Sequence, residues 1–371
     1  MSLVFTSEQE DLRRTVRAFL ADTSPSAQVR RLMETPEGID RDVWHRMAAQ
    51  LGLHGLAIPE EHGGAGFGPV EQVVVFEETG RALLCAPYFG TVALATTALL
   101  AADDAAAAKD LLPGLAEGRT VATLAFTEDD GSWDPEAISL RAEAADGSWA
   151  LTGAKSFVID GAVADLFLVV ARTDRGLSLF AVDATAPGLQ RTPLETLDLT
   201  RKLVRLSFDG TPAQLVGEEG SGRRILERTL DVAATLLAVE QVGGAQAVLD
   251  MTVEYAKLRT QFGRKIGSFQ AVKHRLADML VAVESARSAA YHAGWAAADA
   301  PDELPVAAAM AKAVASEAFV FCATEAIQLH GGIGFTWEHD AHLYYRRAHS
   351  SALLLGDATY HRELLAQRLG I

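Results

Sequence analysis

The stretch Tyr255-Ala-Lys-Leu-Arg259-Thr-Gln261-Phe262-Gly263-Arg-Lys-Ile266-Gly-Ser-Phe269-Gln270-Ala-Val-Lys273-His-Arg-Leu-Ala-Asp278-Met279 joins two long helical patterns across a turn at Phe262-Gly263. One helix can run over 222–258 and the next over 269–299. A third follows at 306–329, and a last pair surrounds 338–355 and 360–369. These segments are rich in Ala, Leu, Glu and Arg, which lose little on entering a helix. The part of the chain around the opening stretch is therefore helical.

Moving toward the N-terminus, the pattern shortens. Strands are expected at 121–127, 138–144, 149–151, 166–172, 177–182 and 203–208. Turn signals separate them at Asp146-Gly147, Thr152-Gly153, Asp160-Gly161, Pro187-Gly188 and Asp209-Gly210. A block of roughly 100 residues with regularly spaced short antiparallel strands implies a small barrel or sandwich. Before it the chain is helical again. Ser7 can cap a helix through Ala21 with Leu12, Val16, Phe19 and Leu20 on one face. Further helices are expected at 42–51, 71–84, 86–101 and 105–116, with a Gly-rich connection at 59–68. The chain reads as mainly α with a central β domain, divided at 1–119, 120–217 and 218–371.

Composition narrows the class. The apolar fraction is 49% and the charged fraction 22% over 371 residues, which suits a globular chain with a sizeable core. A formal charge of −16 argues against a nucleic-acid binder, which needs a basic face. It leaves room for a small anionic ligand met by a local Arg or Lys cluster. Cys85 and Cys322 lie far apart and read as buried thiols of a reducing compartment. No signal peptide and no uncharged apolar run of membrane-spanning length is expected, so the reading is cytoplasmic, with no membrane partner.

Three motifs, in order, carry a family resemblance. The opening stretch resembles the acyl-CoA dehydrogenase signature of Tyr, Arg, a Gln/Thr-Phe-Gly turn, Phe-Gln and a closing Ala-Asp-Met. Gln328-Leu-His-Gly331-Gly332-Ile-Gly334-Phe335 is similar to that family's glycine turn before its terminal helices. Phe126-Thr127-Glu128 and Gly153-Ala-Lys155-Ser-Phe157-Val-Ile-Asp-Gly161 look like its flavin-side strands. The resemblance implies an N-terminal helical domain, a middle β-barrel and a C-terminal four-helix bundle. It implies FAD as cofactor and an acyl-CoA substrate converted to the trans-2-enoyl-CoA. An electron-transfer flavoprotein would be the acceptor.

Roles carry over residue by residue. Arg259 would meet the FAD pyrophosphate, which a guanidinium fork suits. Gln261, Phe262 and Gln270 would serve the adenosine side. Gln328, Leu329, Gly331 and Gly332 would approach the cofactor of a neighbouring subunit, glycine allowing close backbone approach. That implies a homo-oligomer or a heterotetramer with a related chain. Phe126, Thr127 and Phe157 would face the flavin ring, with Ser132 and Asp357 as further contacts. No metal ligand set is implied. The family usually has Trp at Phe157 and a hydroxyl residue at Ile159, which removes a hydrogen bond to flavin N5.

The reaction also needs a carboxylate to take the α-proton. The usual family position falls on Leu355, before Gly356-Asp357, and that of a second branch falls on Ala233. Neither can act. Glu240 is the single ionisable residue from Val232 to Leu249 and sits two helical turns past Ala233. A lone acid there is paired, protonated or functional. It is the candidate base, with a buried salt bridge or subunit contact as the alternative. Asp357, beside the vacant position, is the next candidate. Gly243 and Gly244 weaken the helix, and with Ala233 and Ala234 they suggest a roomy cavity for a bulky acyl group.

Other signals carry less. Gly217-Glu-Glu-Gly220-Ser-Gly222 lacks dinucleotide-site spacing and reads as a hinge. His339, His342 and His349 read as solvated or interface histidines, and Glu60-Glu61-His62 as surface. Two alternatives stay open beside the dehydrogenase: a non-catalytic subunit completing a partner's FAD site, and a divergent flavin oxidase or monooxygenase of the same fold.

Overall fold

A computed structural model describes residues 5–145 and 148–371. The expected Asp146-Gly147 turn and the first four residues lie outside them. The N-terminal part holds α1 (Ser7–Thr23), α2 (Ser26–Met33), α3 (Arg41–Ala49), α4 (Pro69–Arg81), α5 (Thr97–Ala102) and α6 (Ala105–Ala116). Thr6, rather than Ser7, caps α1. Its hydroxyl accepts from Gln9 N–H at 3.3 Å while the Gln9 side chain accepts from Thr6 N–H at 3.0 Å. Either residue has a capping-box partner three positions on, Gln9 for Thr6 and Glu10 for Ser7, and the chain closes the box at Thr6. The helix expected at 86–101 begins instead as a wide π-type segment, Phe89–Thr96. Thr96 and Thr97 hydroxyls donate to carbonyls five residues back, at Thr91 and Val92, which suits the wider turn.

Seven strands follow: β1 (Ala122–Ala125), β2 (Arg141–Ala145), β3 (Ser148–Ile159), β4 (Leu166–Thr173), β5 (Gly176–Asp183), β6 (Leu189–Leu194) and β7 (Leu203–Val216). Their ladders run β4-β2-β3-β7-β5 and return to β4, while β1 adds to β4 and β6 to β7. The expected antiparallel pattern holds except at β1–β4 and at the single β2–β4 pair, which are parallel. The intervening β2–β3 hairpin supplies the crossover that parallel pairing requires. β3 is far longer than the sequence suggested. Shifts of register between Leu151 and Gly153, and between Lys155 and Val158, interrupt the alternation that would have revealed it. β6 was also missed; none of its residues is buried, so it carries no apolar face to read.

The rest is α7 (Gly222–Leu258), a small hairpin of β8 (Thr260–Gln261) and β9 (Arg264–Lys265), α8 (Gln270–Asp299), α9 (Leu304–His330), α10 (Ala341–Leu353) and α11 (Ala358–Leu369). Val248, Met279, Val283, Phe319, Cys322 and Ala348 belong to one apolar core shared by α7, α8, α9 and α10. Most buried residues of α9 are alanine, which lets neighbouring helices approach closely.

The chain forms two compact units that cut across sequence order. A helical unit comprises Met1–Arg30, Pro69–Leu84 and Ala234–Ile371; a β-rich unit comprises Arg31–Gly68 and Cys85–Ala233. Two helical segments, Gly222–Leu258 and Leu304–Phe335, are apolar and long enough to cross a membrane, although charged residues such as Glu240 and Lys312 interrupt them. Their most apolar windows are 89% and 67% buried inside the protein, as core helices are. Both cysteines are free and buried.

Candidate functional site

In the β-rich unit the expected flavin-side residues are held by bonds that end within the unit. Phe126 and Thr127 are buried at the end of β1. Ser156 N–H donates to Thr127 O at 2.8 Å. Phe157 follows at the second shift in β3 and adopts φ +57, a conformation non-glycine residues rarely take. Its ring is 41% exposed although its neighbours on either side are buried. The bulge thus turns an aromatic face outward from a strand that is otherwise core. Ser132 is half-buried; its hydroxyl accepts from Asp134 N–H and its own N–H donates to Asp130.

The sequence reading missed the side chains that tie this region together. Lys155 is fully buried, and its ammonium donates to Phe126 O at 2.9 Å and to Glu128 Oε1 at 2.8 Å. Glu128 also accepts from Ser139 and Leu140 N–H groups at 2.9 and 2.8 Å. Burial pushes the Lys155 ammonium down to about 8, against the pull of Glu128. Burial works against the Glu128 carboxylate, but the bonds from Lys155, Ser139 and Leu140 outweigh it and hold its pKa below the usual range. Asp129 is lowered to about 2 by Arg205, which grips it with two bonds, and by Ser156. Only the short motif around Phe126 and Lys155 hinted at this cluster, because its partners lie up to 76 residues apart.

In the helical unit the signature stretch forms a tight hairpin. Phe262 and Gly263 occupy its two turn positions with φ +52 and +75, the pattern of a type I′ turn. Arg259, Gln261, Phe262 and Gln270 are all exposed, Phe262 at 92%. Among the described residues the Arg259 guanidinium has no hydrogen-bond or ion-pair partner. Gly331 ends α9 at φ +63 and ψ −140, a conformation open essentially to glycine. It and Gly332 are exposed, as is Gln328, while Leu329 is half-buried. Tyr255 links the two motifs. It lies one turn before Arg259, stacks on His330 at 4.3 Å and donates to His330 O at 3.3 Å. An open guanidinium fork, an exposed aromatic face and a glycine-only turn fit a flavin dinucleotide chemically.

The acidic candidates are differently placed. Glu240 Oε1 lies 2.8 Å from Arg347 of α10, and both side chains are buried. Asp357 accepts from Tyr360 N–H at 2.8 Å and caps α11. Leu355 is buried at φ +61. Its carbonyl accepts from His361, while Lys312 donates to the carbonyls of Ala352 and Gly356. Gly243 borders a cleft lined chiefly by charged side chains, among them Arg13, Glu77, Arg81 and Asp250, which does not suit an acyl chain. A Cβ on Gly243 would fall 1.9 Å from Glu77 O of α4, and one on Gly244 would meet the Phe319 ring at 2.5 Å. They admit a crossing helix and a phenylalanine. A Cβ on Gly80 of α4 would likewise fall 1.9 Å from Glu240 O. Among the described residues no cluster of His, Cys, Asp or Glu is arranged for a metal.

Known proteins share this arrangement along the whole chain. Residues 6–119, 123–210 and 220–370 match the family models for the N-terminal, middle and C-terminal domains of acyl-CoA dehydrogenase. The chain belongs to the acyl-CoA dehydrogenase family. Its reaction is the FAD-dependent α,β-dehydrogenation of an acyl-CoA thioester. The chain is 40% identical to the acyl-CoA dehydrogenase IpdE2 of Mycobacterium tuberculosis over 350 residues, which is 94% of this chain and 93% of the relative. Among solved structures it is similar to a chain of the Tcur3481-Tcur3483 steroid ACAD, with 34% identity, TM-score 0.89 and 98% of each chain covered. It is also similar to a chain of the ChsE4-ChsE5 complex from Mycobacterium tuberculosis, with 30% identity, TM-score 0.92, and 100% and 99% covered. The acyl-CoA dehydrogenase fold is therefore a helical N-terminal part, a β middle and a helical C-terminal part here too.

Proposed function

We propose that this dehydrogenase acts on a bulky, steroid-derived acyl-CoA, within an oligomer, and passes its electrons to an electron-transfer flavoprotein. The observation that carries the substrate class is the likeness, over nearly the full chain, to a steroid enzyme of the same fold. The domain boundaries at 119/120 and 217/218, with a middle β-barrel and a C-terminal four-helix bundle, belong to the same proposal. The returning strand ladders and the shared core of α7–α10 support it. A cytoplasmic location follows the same reading. FAD, when bound, supplies the hydride acceptor. Phe126, Thr127, Ser132 and Phe157 serve its ring, and Arg259, Gln261, Phe262, Gln270, Gln328, Leu329, Gly331, Gly332 and Asp357 its dinucleotide. Asp357 caps α11 through one carboxylate oxygen, which accepts from Tyr360 N–H, and is exposed.

Glu240 is the proposed base. To take the α-proton it must leave its ion pair with Arg347, because a carboxylate that keeps a charge-assisted bond is a poor proton acceptor. That pair favours a second reading. In it this chain completes the FAD site while a related chain of a heterotetramer brings the base. The two separate in one anaerobic experiment that follows flavin bleaching by straight, branched and steroid-derived acyl-CoAs. If the chain alone is bleached, and Glu240→Gln keeps its flavin but loses bleaching, Glu240 is the base. Bleaching that survives in Glu240→Gln excludes it. Bleaching that needs a co-expressed relative establishes the second reading, and bleaching by unbranched acyl-CoAs alone overturns the steroid assignment.

A further inference from the structure

Lys155 is the least expected residue of the β-rich unit. Its ammonium lies on β3 opposite Leu206 of β7, fully buried among strand residues. A buried ammonium is costly, and a methionine of similar length would fill the space without that cost. Methionine could not do what the lysine does here. The lysine joins three consecutive positions of the β1 exit to the bulge in β3. It bonds the carbonyl of Phe126 and the carboxylate of Glu128. The next residue on its own strand, Ser156, bonds the carbonyl of Thr127 between them.

Phe157, at φ +57, is the following residue. Its outward turn therefore starts from a backbone whose two preceding residues are clamped to the Phe126–Glu128 segment. Glu128 extends the clamp to Ser139 and Leu140, so the intervening loop with Ser132 and Trp133 is closed at its base. The Trp133 ring lies 5.8 Å from Phe126.

We propose that Lys155 is a positioning residue for the flavin: it fixes the Phe126–Thr127 segment against the bulge that presents Phe157, and so sets the gap that receives the ring. This rests on the reading that these three residues face the flavin. The charged groups that face Lys155 are Glu128, which it bonds, and Asp130; Asp129 is held by Arg205 and Ser156. Loss of the Lys155 proton leaves an amine that donates more weakly and no longer holds Glu128 by charge.

The test uses the purified flavin-loaded protein and reads FAD release and the flavin absorption envelope. Lys155→Met releases FAD about tenfold faster or more, the effect of losing one charge-assisted bond, and alters the envelope. Leu179→Ala in β5, also fully buried, controls for lost stability and leaves the envelope unchanged. Phe157→Ala tests the underlying reading. If it keeps wild-type release and envelope, the flavin does not lie there and that reading fails. If Phe157→Ala weakens FAD while Lys155→Met behaves as wild type or as Leu179→Ala, the reading stands and the role of Lys155 is overturned. Should Lys155→Met not fold, the wild type is followed from about pH 7 to about pH 9.5 beside Glu128→Gln. Release that quickens above pH about 8 in the wild type, and less so in Glu128→Gln, supports the role. Release that is flat, or that quickens equally in both, overturns it.

Discussion

The two groups of residues proposed to serve the cofactor are built in opposite ways. In the β-rich unit, Phe126 and Thr127 are buried, and the bonds around them end on Lys155, Ser156 and Glu128. In the helical unit, Arg259, Gln261, Phe262, Gly331 and Gly332 stand exposed. The first is fixed by the fold before any ligand arrives. The second presents exposed groups, and the Arg259 guanidinium has no bonding partner among the described residues. Substitutions in a spent region should therefore cost stability, and substitutions in an open one should cost binding.

The largest effect is expected where spending is greatest outside the cofactor region. Arg347→Ala removes the cationic partner of the buried Glu240 carboxylate and should lower unfolding free energy by about 3–5 kcal/mol. Denaturant titration reads it, and an unchanged midpoint would mean the pair is not closed in solution. Next, Arg259→Ala should cost about 1.5–3 kcal/mol of FAD affinity, or ten- to a hundredfold, with the apo melting temperature unchanged. A large drop in melting temperature would break the comparison, since it would show Arg259 bonded within the protein. Gly331→Ala should cost about 1–3 kcal/mol through its backbone conformation alone. No side chain crowds that position, so a larger loss would point to a contact made with another chain.

The smallest effect is a pH slope. Lys155 binds its proton less tightly when folded, at about 8, than an ordinary lysine does at 10.5. The unfolded chain thus holds more proton between those values, and stability rises as pH climbs from about 8 toward 10.5, with no contribution from this group to the slope below. Lys155→Met removes that rise in melting curves of the apo protein. FAD retention runs the other way over the same range, which separates the stability of the unit from its grip on the flavin.

The same contrast explains what could be read from the sequence. α7 was legible end to end because its pattern is long and uninterrupted. The opening signature was legible because exposed groups in a fixed order belong to a ligand rather than to packing. β3 was not, since two shifts of register break its alternation. The roles of Gly243 and Gly244 were misread. A glycine pattern records that something passes close by, and here that is α4 and Phe319 rather than an acyl group. Glu240 could be singled out as a lone acid, but its partner Arg347 lies 107 residues away, and no local pattern names it.

The paired glycines of α4 and α7 carry a further consequence. Gly80 receives the backbone of Glu240, and Gly243 receives that of Glu77, so the two helices meet main chain to main chain at two points. A Cβ at either position would fall 1.9 Å from a carbonyl oxygen of the other helix, so the axes keep this separation only while both positions are glycine. The distance between α4 and α7 is thus set by two missing methyl groups, and restoring either one must push the helices apart.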